Sequence, residues 1–234
     1  SPIVDYFTGT STNAEAGWSL RLSHDGSTIM AGYRRTASGA GGEAGQIRVH
    51  TYANGAWTQK GQALNGLESG DRLGASIDMS SDGNYLIAGS AYGANKQAYV
   101  YEYDSSSSQW VKRTTLSHPN PTDASFYGAS VAISDDGNTV AVGASSDDVD
   151  GTDLGRASVY TWSGSAWSSP TILSNPEPPN STNSDAFGSV VSISGDGTRL
   201  IVAASRQDTT VNATNTNDNG RVYTYEYYGG SWQL

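Results

Sequence analysis

The sequence predicts an all-β fold: a β-propeller of four four-stranded antiparallel blades, the last completed by an N-terminal strand in cis or by a neighbouring chain. Three observations predict it. A phrase built around Asp-Gly occurs four times in 234 residues: RLSHDGSTIMAGY from Arg21, DMSSDGNYLIAGS from Asp78, AISDDGNTVAVGAS from Ala132 and SISGDGTRLIVAAS from Ser192. A glycine precedes each copy (Gly17, Gly74, Gly128, Gly188) and a tryptophan follows each (Trp57, Trp110, Trp167, Trp232). The turns at Asp25, Asp82, Asp136 and Asp196 lie 57, 54 and 60 residues apart, a period that suits blades or arrays.

Each repeat reads as four strands. The first is GWSLRLS, GASIDMS, GASVAIS or GSVVSIS, whose alternation has the period of a strand. Asp-Gly then makes a tight hairpin turn, because both residues tolerate positive φ. The second strand is STIMAG, NYLIAGS, NTVAVGAS or TRLIVAAS, and a variable loop follows it. The third strand is aromatic (GQIRVHTY, QAYVYEY, GRASVYTW, GRVYTYEY), and a short turn leads to the tryptophan and the fourth strand. Four antiparallel strands per unit make a propeller blade. One domain spans 1–234, with a closing strand at 1–11 and blades at about 12–66, 67–119, 120–179 and 180–234.

The ends support this phase. The fourth repeat stops at Trp232-Gln233-Leu234, where its outer strand begins, and the chain opens on the unpartnered SPIVDYFTG. From each tryptophan to the next first-strand glycine the spacing is 17, 18 and 21 residues; through the joined ends, Trp232 to Gly17 spans 19. Two arrangements satisfy this register: a closed four-bladed ring, or chains joined head to tail in a larger ring or filament.

Composition narrows the function. The formal charge is -10, with a pI near 4.5, which argues against nucleic acid and against anionic membrane surfaces as partners. No apolar run approaches the ~20 residues of a membrane span, so no membrane insertion is expected. Absence of cysteine excludes disulfides, thiol nucleophiles and thiolate metal sites. Abundant Ser, Thr and Gly with little Lys, and a chain numbered from Ser1 like a processed one, point to an extracellular or cell-surface location.

The repeat resembles the FG-GAP family, the repeat of integrin α-subunit propellers. The residues that carry the resemblance are Phe187-Gly188-Ser189, Tyr127-Gly128-Ala129-Ser130, VAVGAS at 140–145 and Gly155-Arg156-Ala157-Ser158-Val159-Tyr160. It covers essentially the whole chain and is loosest in the first repeat, where Ala16 holds the Phe position. The resemblance implies a β-propeller used for adhesion, ligand binding or display. Many family members carry a calcium loop, Asp-x-Asp/Asn-x-Asp-Gly, between the first two strands. Here that place holds Ser-x-Asp-Gly, and one carboxylate cannot supply the six to eight oxygens calcium prefers.

Several residues are candidates for chemistry. DDVDGTD places Asp147, Asp148, Asp150 and Asp153 together, either as calcium ligands or as a solvated acidic loop; no other cofactor is implied. Asn180-Ser181-Thr182 and Asn212-Ala213-Thr214 match the N-glycosylation pattern in expected loops. Propeller topology brings these loops to one face together with Arg34, Arg35, Tyr92, Lys96 and Arg206, and diverse loops on a rigid scaffold are where binding is usually built. Tyr52, Tyr103, Trp162 and Tyr227 recur one hairpin before each repeat tryptophan, as structural cross-strand pairs, whereas Trp18 has no counterpart. Arg21 and Asp78 share one strand position in adjacent blades and are expected to pair.

Catalysis has little support. His24, His50 and His118 fall at unrelated repeat positions, and no Gly-x-Ser-x-Gly elbow occurs. No carboxylate pair is singled out for glycoside cleavage. The expected role is therefore a non-enzymatic structural or adhesive module, partnered by copies of itself or by extracellular proteins or glycans. The alternative is a lectin-like propeller that binds carbohydrate through the variable-loop face.

Overall fold

The computed structural model describes residues 7–9, 11–37, 41–120, 126–149, 153–177, 185–207, 209–211, 214–216 and 219–234. Its regular structure is β throughout, as four antiparallel sheets that are the blades of a β-propeller. Blade 1 holds β1 (Ala16–Leu22), β2 (Thr28–Tyr33), β3 (Gln46–Ala53), β4 (Ala56–Gln59) and β5 (Leu64–Asn65). Blade 2 holds β6 (Ser76–Met79), β7 (Tyr85–Ser90), β8 (Gln97–Asp104) and β9 (Gln109–Ser117). Blade 3 holds β10 (Ser130–Ile133), β11 (Thr139–Ala144), β12 (Arg156–Thr161) and β13 (Thr171–Ser174). Blade 4 begins with β14 (Phe187–Ile193) and β15 (Arg199–Ala204); a small hairpin, β16 (Thr209–Val211) and β17 (Thr214–Thr216), precedes β18 (Arg221–Tyr228) and β19 (Ser231–Gln233). That hairpin lies where the sequence suggested an irregular loop.

The Asp-Gly turn is built alike four times. Gly26, Gly83, Gly137 and Gly197 each adopt positive φ, and each donates its N–H to the carbonyl of the serine three residues before. The serine hydroxyl donates to the aspartate at 2.6–2.7 Å (Ser23 to Asp25, Ser80 to Asp82, Ser134 to Asp136, Ser194 to Asp196). The same hydroxyl accepts the N–H five residues on, from Thr28, Tyr85, Thr139 or Arg199, at 2.9 Å. Every carboxylate is thus occupied by its own turn, and the arrangement does not fit a calcium loop.

The marker glycine also has a backbone reason. Gly17, Gly74, Gly128 and Gly188 have φ between 78° and 92°, inside turns closed by Trp18 N–H to Glu15, Ala75 to Arg72, Ala129 to Phe126 and Ser189 to Ala186. A third turn residue with positive φ favours glycine.

The outer strands are the least regular. In blade 1 the fourth strand is split into β4 and β5, and in blade 3 it is the isolated Trp162–Trp167 bridge followed by β13. The expected aromatic pairs are present: Tyr52–Trp57, Tyr103–Trp110, Trp162–Trp167 and Tyr227–Trp232 face each other with ring centroids 5.2–5.6 Å apart.

Successive blades pack face to face around three cores. Met30, Ile47, Val49 and Leu64 meet Leu73, Ile77 and Leu86 between blades 1 and 2. Ile87, Ala98 and Val100 meet Tyr127, Val131 and Val140 between blades 2 and 3. Ala132, Ala141 and Ala157 meet Phe187, Val191 and Leu200 between blades 3 and 4. The Phe position of each repeat is the wedge of these cores. Leu73, Tyr127 and Phe187 are buried, whereas Ala16 of blade 1 is exposed. Residues 1–6 and 10 of the expected closing strand lie outside the described residues. Phe7 does pack on His50 and Trp57 of blade 1, with centroids 4.1 and 6.4 Å away.

Candidate functional site

The loop face is assembled from two kinds of segment. One is the turn before each first strand, which carries Glu15, Arg72 and Phe126 at one repeat position, each with positive φ. The other is the loop after each second strand, which carries Arg34, Arg35 and Tyr92. Short turns fix both segments to the rigid inner strands.

Their side chains form a continuous ladder across blades 1 to 3. The Arg34 guanidinium stands 3.2 Å from the ring centroid of Trp18 and also pairs with Glu15. Arg35 bridges Glu15 at 3.4 Å and Glu43 at 3.7 Å, and Arg72 holds Glu43 at 2.6 Å. Arg72 then lies 5.0 Å from the Tyr92 ring, Tyr92 meets Phe126 edge-on at 5.6 Å, and Lys96 sits 5.9 Å from Phe126. Hydrogen bonds from Arg34 and Arg72, with the charges of neighbouring arginines, hold the Glu15 and Glu43 carboxyls below the ordinary value. Trp18, Tyr92 and Phe126 are exposed, at 52%, 42% and 41%. A surface that combines open aromatic rings with arginine and carboxylate groups suits recognition of another molecule.

A second cluster lies between blades 2 and 3. Asp147 is fully buried rather than part of a solvated acidic loop. Its Oδ2 stands 2.6 Å from His118 Nε2, and its Oδ1 accepts the Val149 N–H at 2.9 Å and faces Arg156 Nε at 3.9 Å. Burial works to raise the Asp147 pKa, but the His118 hydrogen bond, the Val149 N–H and the nearby positive charges outweigh it, and the net shift is downward. His118 also packs edge-on against Tyr127, whose hydroxyl meets that of Tyr160 at 2.7 Å. A cavity of about 160 Å³ lies beside the pair, lined by His118, Asp147, Arg156 and Ser158 among others. Ser158 leaves that space open: blades 2 and 4 carry Tyr99 and Tyr223 at the same position, and the Tyr223 hydroxyl donates to Gln207 and reaches Asn175.

The other expected residues fall as follows. Asp148 accepts the N–H of Asp153 at 2.6 Å, and Asp150 lies outside the described residues. Among the described residues, no group of three or more His, Cys, Asp or Glu side chains is placed to hold a metal. Asn180 and Asn212 also lie outside the described residues. The Arg21–Asp78 pair forms at 2.9 Å. Sequence reading missed Glu15, Glu43, Arg72 and Phe126. For Glu15, Arg72 and Phe126 the available signal was a charged or aromatic residue two before the marker glycine in three of the four repeats, the fourth having Ala186; Glu43 had no such signal.

Comparison with known families decides the kinship. The FG-GAP repeat family matches residues 110–160 and 178–225. Over these two stretches the chain is similar to FG-GAP repeats. The first match begins in β9 of blade 2 and ends in β12 of blade 3, so it spans the junction of those blades, whereas the second covers β14 to β18 of blade 4. No curated protein matches the chain. FG-GAP repeats are found in adhesion and extracellular β-propeller proteins. Among the described residues, no helix is long and apolar enough to cross a membrane.

Proposed function

We propose that this chain is a non-enzymatic extracellular module with a structural or adhesive role, which binds a protein partner through its loop face. The observation that carries the reading is the ladder from Trp18 to Phe126, where ion pairs rigidify a surface that still presents three open aromatic rings. Preorganised aromatic and arginine groups are the usual anchors of protein interfaces. The occurrence of FG-GAP repeats in adhesion proteins supports the same reading. Asn180 and Asn212 are acceptors for N-linked glycans if the chain follows a eukaryotic secretory route.

A second reading, a lectin-like propeller, is favoured by Trp18 itself. Half its surface is open beside Arg34 and Glu15, an arrangement able to stack on a sugar ring and hydrogen-bond its hydroxyls.

The test is surface plasmon resonance of the whole chain against a panel of extracellular-matrix proteins, with a glycan array in parallel. Binding to a matrix protein is expected, weakened at least tenfold by Trp18→Ala or Tyr92→Ala and unchanged by Val111→Ala, which is exposed on an outer strand. Signal on the glycan array alone would establish the second reading. Silence on both panels overturns both, and turnover of glycoside substrates would refute the non-enzymatic role.

A further inference from the structure

One third-strand position differs in kind among the blades. Opposite Ala31, Ala88, Val142 and Val202 of the second strands stand Arg48, Tyr99, Ser158 and Tyr223. Three of these side chains are long and one is short. Ser158 is buried all the same, as Tyr99 and Tyr223 are, so blade 3 lacks the volume of a ring at a place that its neighbours fill with one.

Blade 4 shows what the place holds when it is filled. The Tyr223 hydroxyl donates to Gln207 Oε1 at 2.7 Å and stands 3.1 Å from Asn175 Oδ1, at the end of blade 3. Both partners have exact repeat equivalents one junction earlier. The Gln207 N–H donates to the Ala204 carbonyl and its own carbonyl accepts from Gly220; Asp147 does the same with Ala144 and Gly155. Asn175 follows Ser174, the partner of Arg156, and His118 follows Ser117, the partner of Gln97. Asp147 and His118 therefore stand around Ser158 as Gln207 and Asn175 stand around Tyr223. His118 is bulkier than Asn175, yet a cavity of about 160 Å³ remains there, with Asp147, Arg156, Ser158 and Ile172 in its walls. Pro119 and Val149, which also line it, are exposed, so the space is reached from solvent.

We infer that this cavity is a binding site for a phenol ring, which enters from solvent, takes the place that Tyr223 fills in blade 4 and donates its hydroxyl to the Asp147 carboxylate. Size fits, since a cavity of roughly 150 Å³ is enough to hold benzene. Chemistry fits as well. In blade 4 the hydroxyl meets a neutral amide oxygen, whereas in blade 3 it would meet a buried carboxylate, and a hydrogen bond to an ionised acceptor is about twice as strong. A hydrocarbon ring would fill the space but bring no donor to Asp147. An aliphatic alcohol would bring the donor but leave the flat space between Pro119, Val149 and Ile172 poorly filled. The phenol is either a free small molecule or the side chain of a partner's tyrosine. The cavity shares no side chain with the ladder from Trp18 to Phe126, so its occupancy is tested independently of partner binding there.

The experiment is an NMR titration of the whole native chain with p-cresol, with toluene as the probe that lacks the hydroxyl. Saturable shifts of the Val149 and Ser158 amides are expected with p-cresol, together with Overhauser contacts from its ring to the Ile172 methyl groups. Toluene is expected to bind about tenfold more weakly, the effect of one charge-assisted hydrogen bond. These measurements need no variant. Ser158→Tyr then supplies the ring from within the chain, and is expected to raise the melting temperature and abolish p-cresol binding. N-acetyltyrosinamide separates the two sources: binding at the same amides assigns the cavity to a tyrosine side chain, and its failure where p-cresol binds assigns the cavity to free phenols. No saturable shift with p-cresol, toluene binding as tightly, ring contacts elsewhere on the chain, or p-cresol binding that survives in a folded Ser158→Tyr variant overturns the inference.

Discussion

The indole N–H of Trp110 donates to the Lys60 carbonyl at 2.8 Å, across the junction of blades 1 and 2. The Trp110 backbone exchanges two further hydrogen bonds with the Gln62 side chain, each 2.8 Å, and the Lys60 ammonium stands 5.7 Å from the ring centroid. Trp110 is also the most deeply buried of the four repeat tryptophans. Trp110→Ala is expected to cost about 3–5 kcal/mol, a fall in melting temperature of roughly 10 °C. Trp110→Phe keeps most of the packing and is expected to lose about 1 kcal/mol for the missing hydrogen bond. Thermal unfolding followed by circular dichroism checks both. A loss for Trp110→Ala no larger than that for Trp232→Ala would show that the junction bond contributes little.

The second-strand glycines offer a sharper contrast. Gly89→Ala puts a methyl group 1.8 Å from the Gly128 carbonyl, which is backbone and cannot swing aside. Overpacking of this kind is expected to destabilise by about 1–3 kcal/mol or more. Ala203→Gly, at the same position of blade 4, is expected to cost no more than about 1 kcal/mol, the usual penalty for glycine in a strand. Chemical denaturation midpoints of the two variants measure the difference, and equal losses would refute the crowding argument.

Acid sensitivity should concentrate in the Asp-Gly turns. The Ser23 hydroxyl and the N–H and hydroxyl of Ser27 hold the Asp25 carboxyl at about 2. Ser194 and Thr198 do the same for Asp196. At Asp82 and Asp136 burial opposes the hydrogen bonds, but the bonds prevail and the shift is again downward. Folded values below the unfolded one mean that the stabilisation is complete above about pH 4 and is lost as pH falls towards 2. The melting temperature is therefore expected to drop through that window, and Asp25→Asn/Asp196→Asn to flatten the drop while lowering stability at neutral pH. A double variant with an unaltered acid profile would locate the sensitivity elsewhere.

The His118–Asp147 pair joins the end of blade 2 to the loop after β11. Asp147→Asn is expected to cost about 1–3 kcal/mol, because the isosteric amide no longer accepts fully from the buried donors around it. Asp147→Ala, which also strands the Val149 N–H, is expected to cost more. Since Asp147 titrates below the ordinary carboxylate range, its contribution too is present above that range and lost in acid. Hydrogen exchange of Val149 provides a local readout, and protection that survives Asp147→Ala would contradict the assigned bond.

Local chemistry made much of the fold legible. The two-residue alternation of GASVAIS and the Ser-x-Asp-Gly turns appear in the structure as strands and self-capped turns, because both depend on neighbours within about five residues. The recurring aromatic pairs were equally readable, since a hairpin places Tyr103 opposite Trp110 by register alone. The β16–β17 hairpin escaped because DTTVNATNTNDNG lacks the apolar alternation that marks a packed strand.

By itself, then, the sequence determined the repeat, its four-stranded unit, the turn chemistry and the kinship with FG-GAP repeats. The tertiary structure decided which chemically similar residues would do different things. His118 and Asp147 are 29 positions apart and meet because blades 2 and 3 are stacked, a distance no periodicity reports. Trp18 gains Arg34 as a neighbour because β1 and β2 are antiparallel, so that β1 begins at the loop face where β2 ends. Leu20 and Ile77 occupy the same place in the repeat, yet one is open and the other sealed, because burial of a blade face is set by whether another blade lies against it.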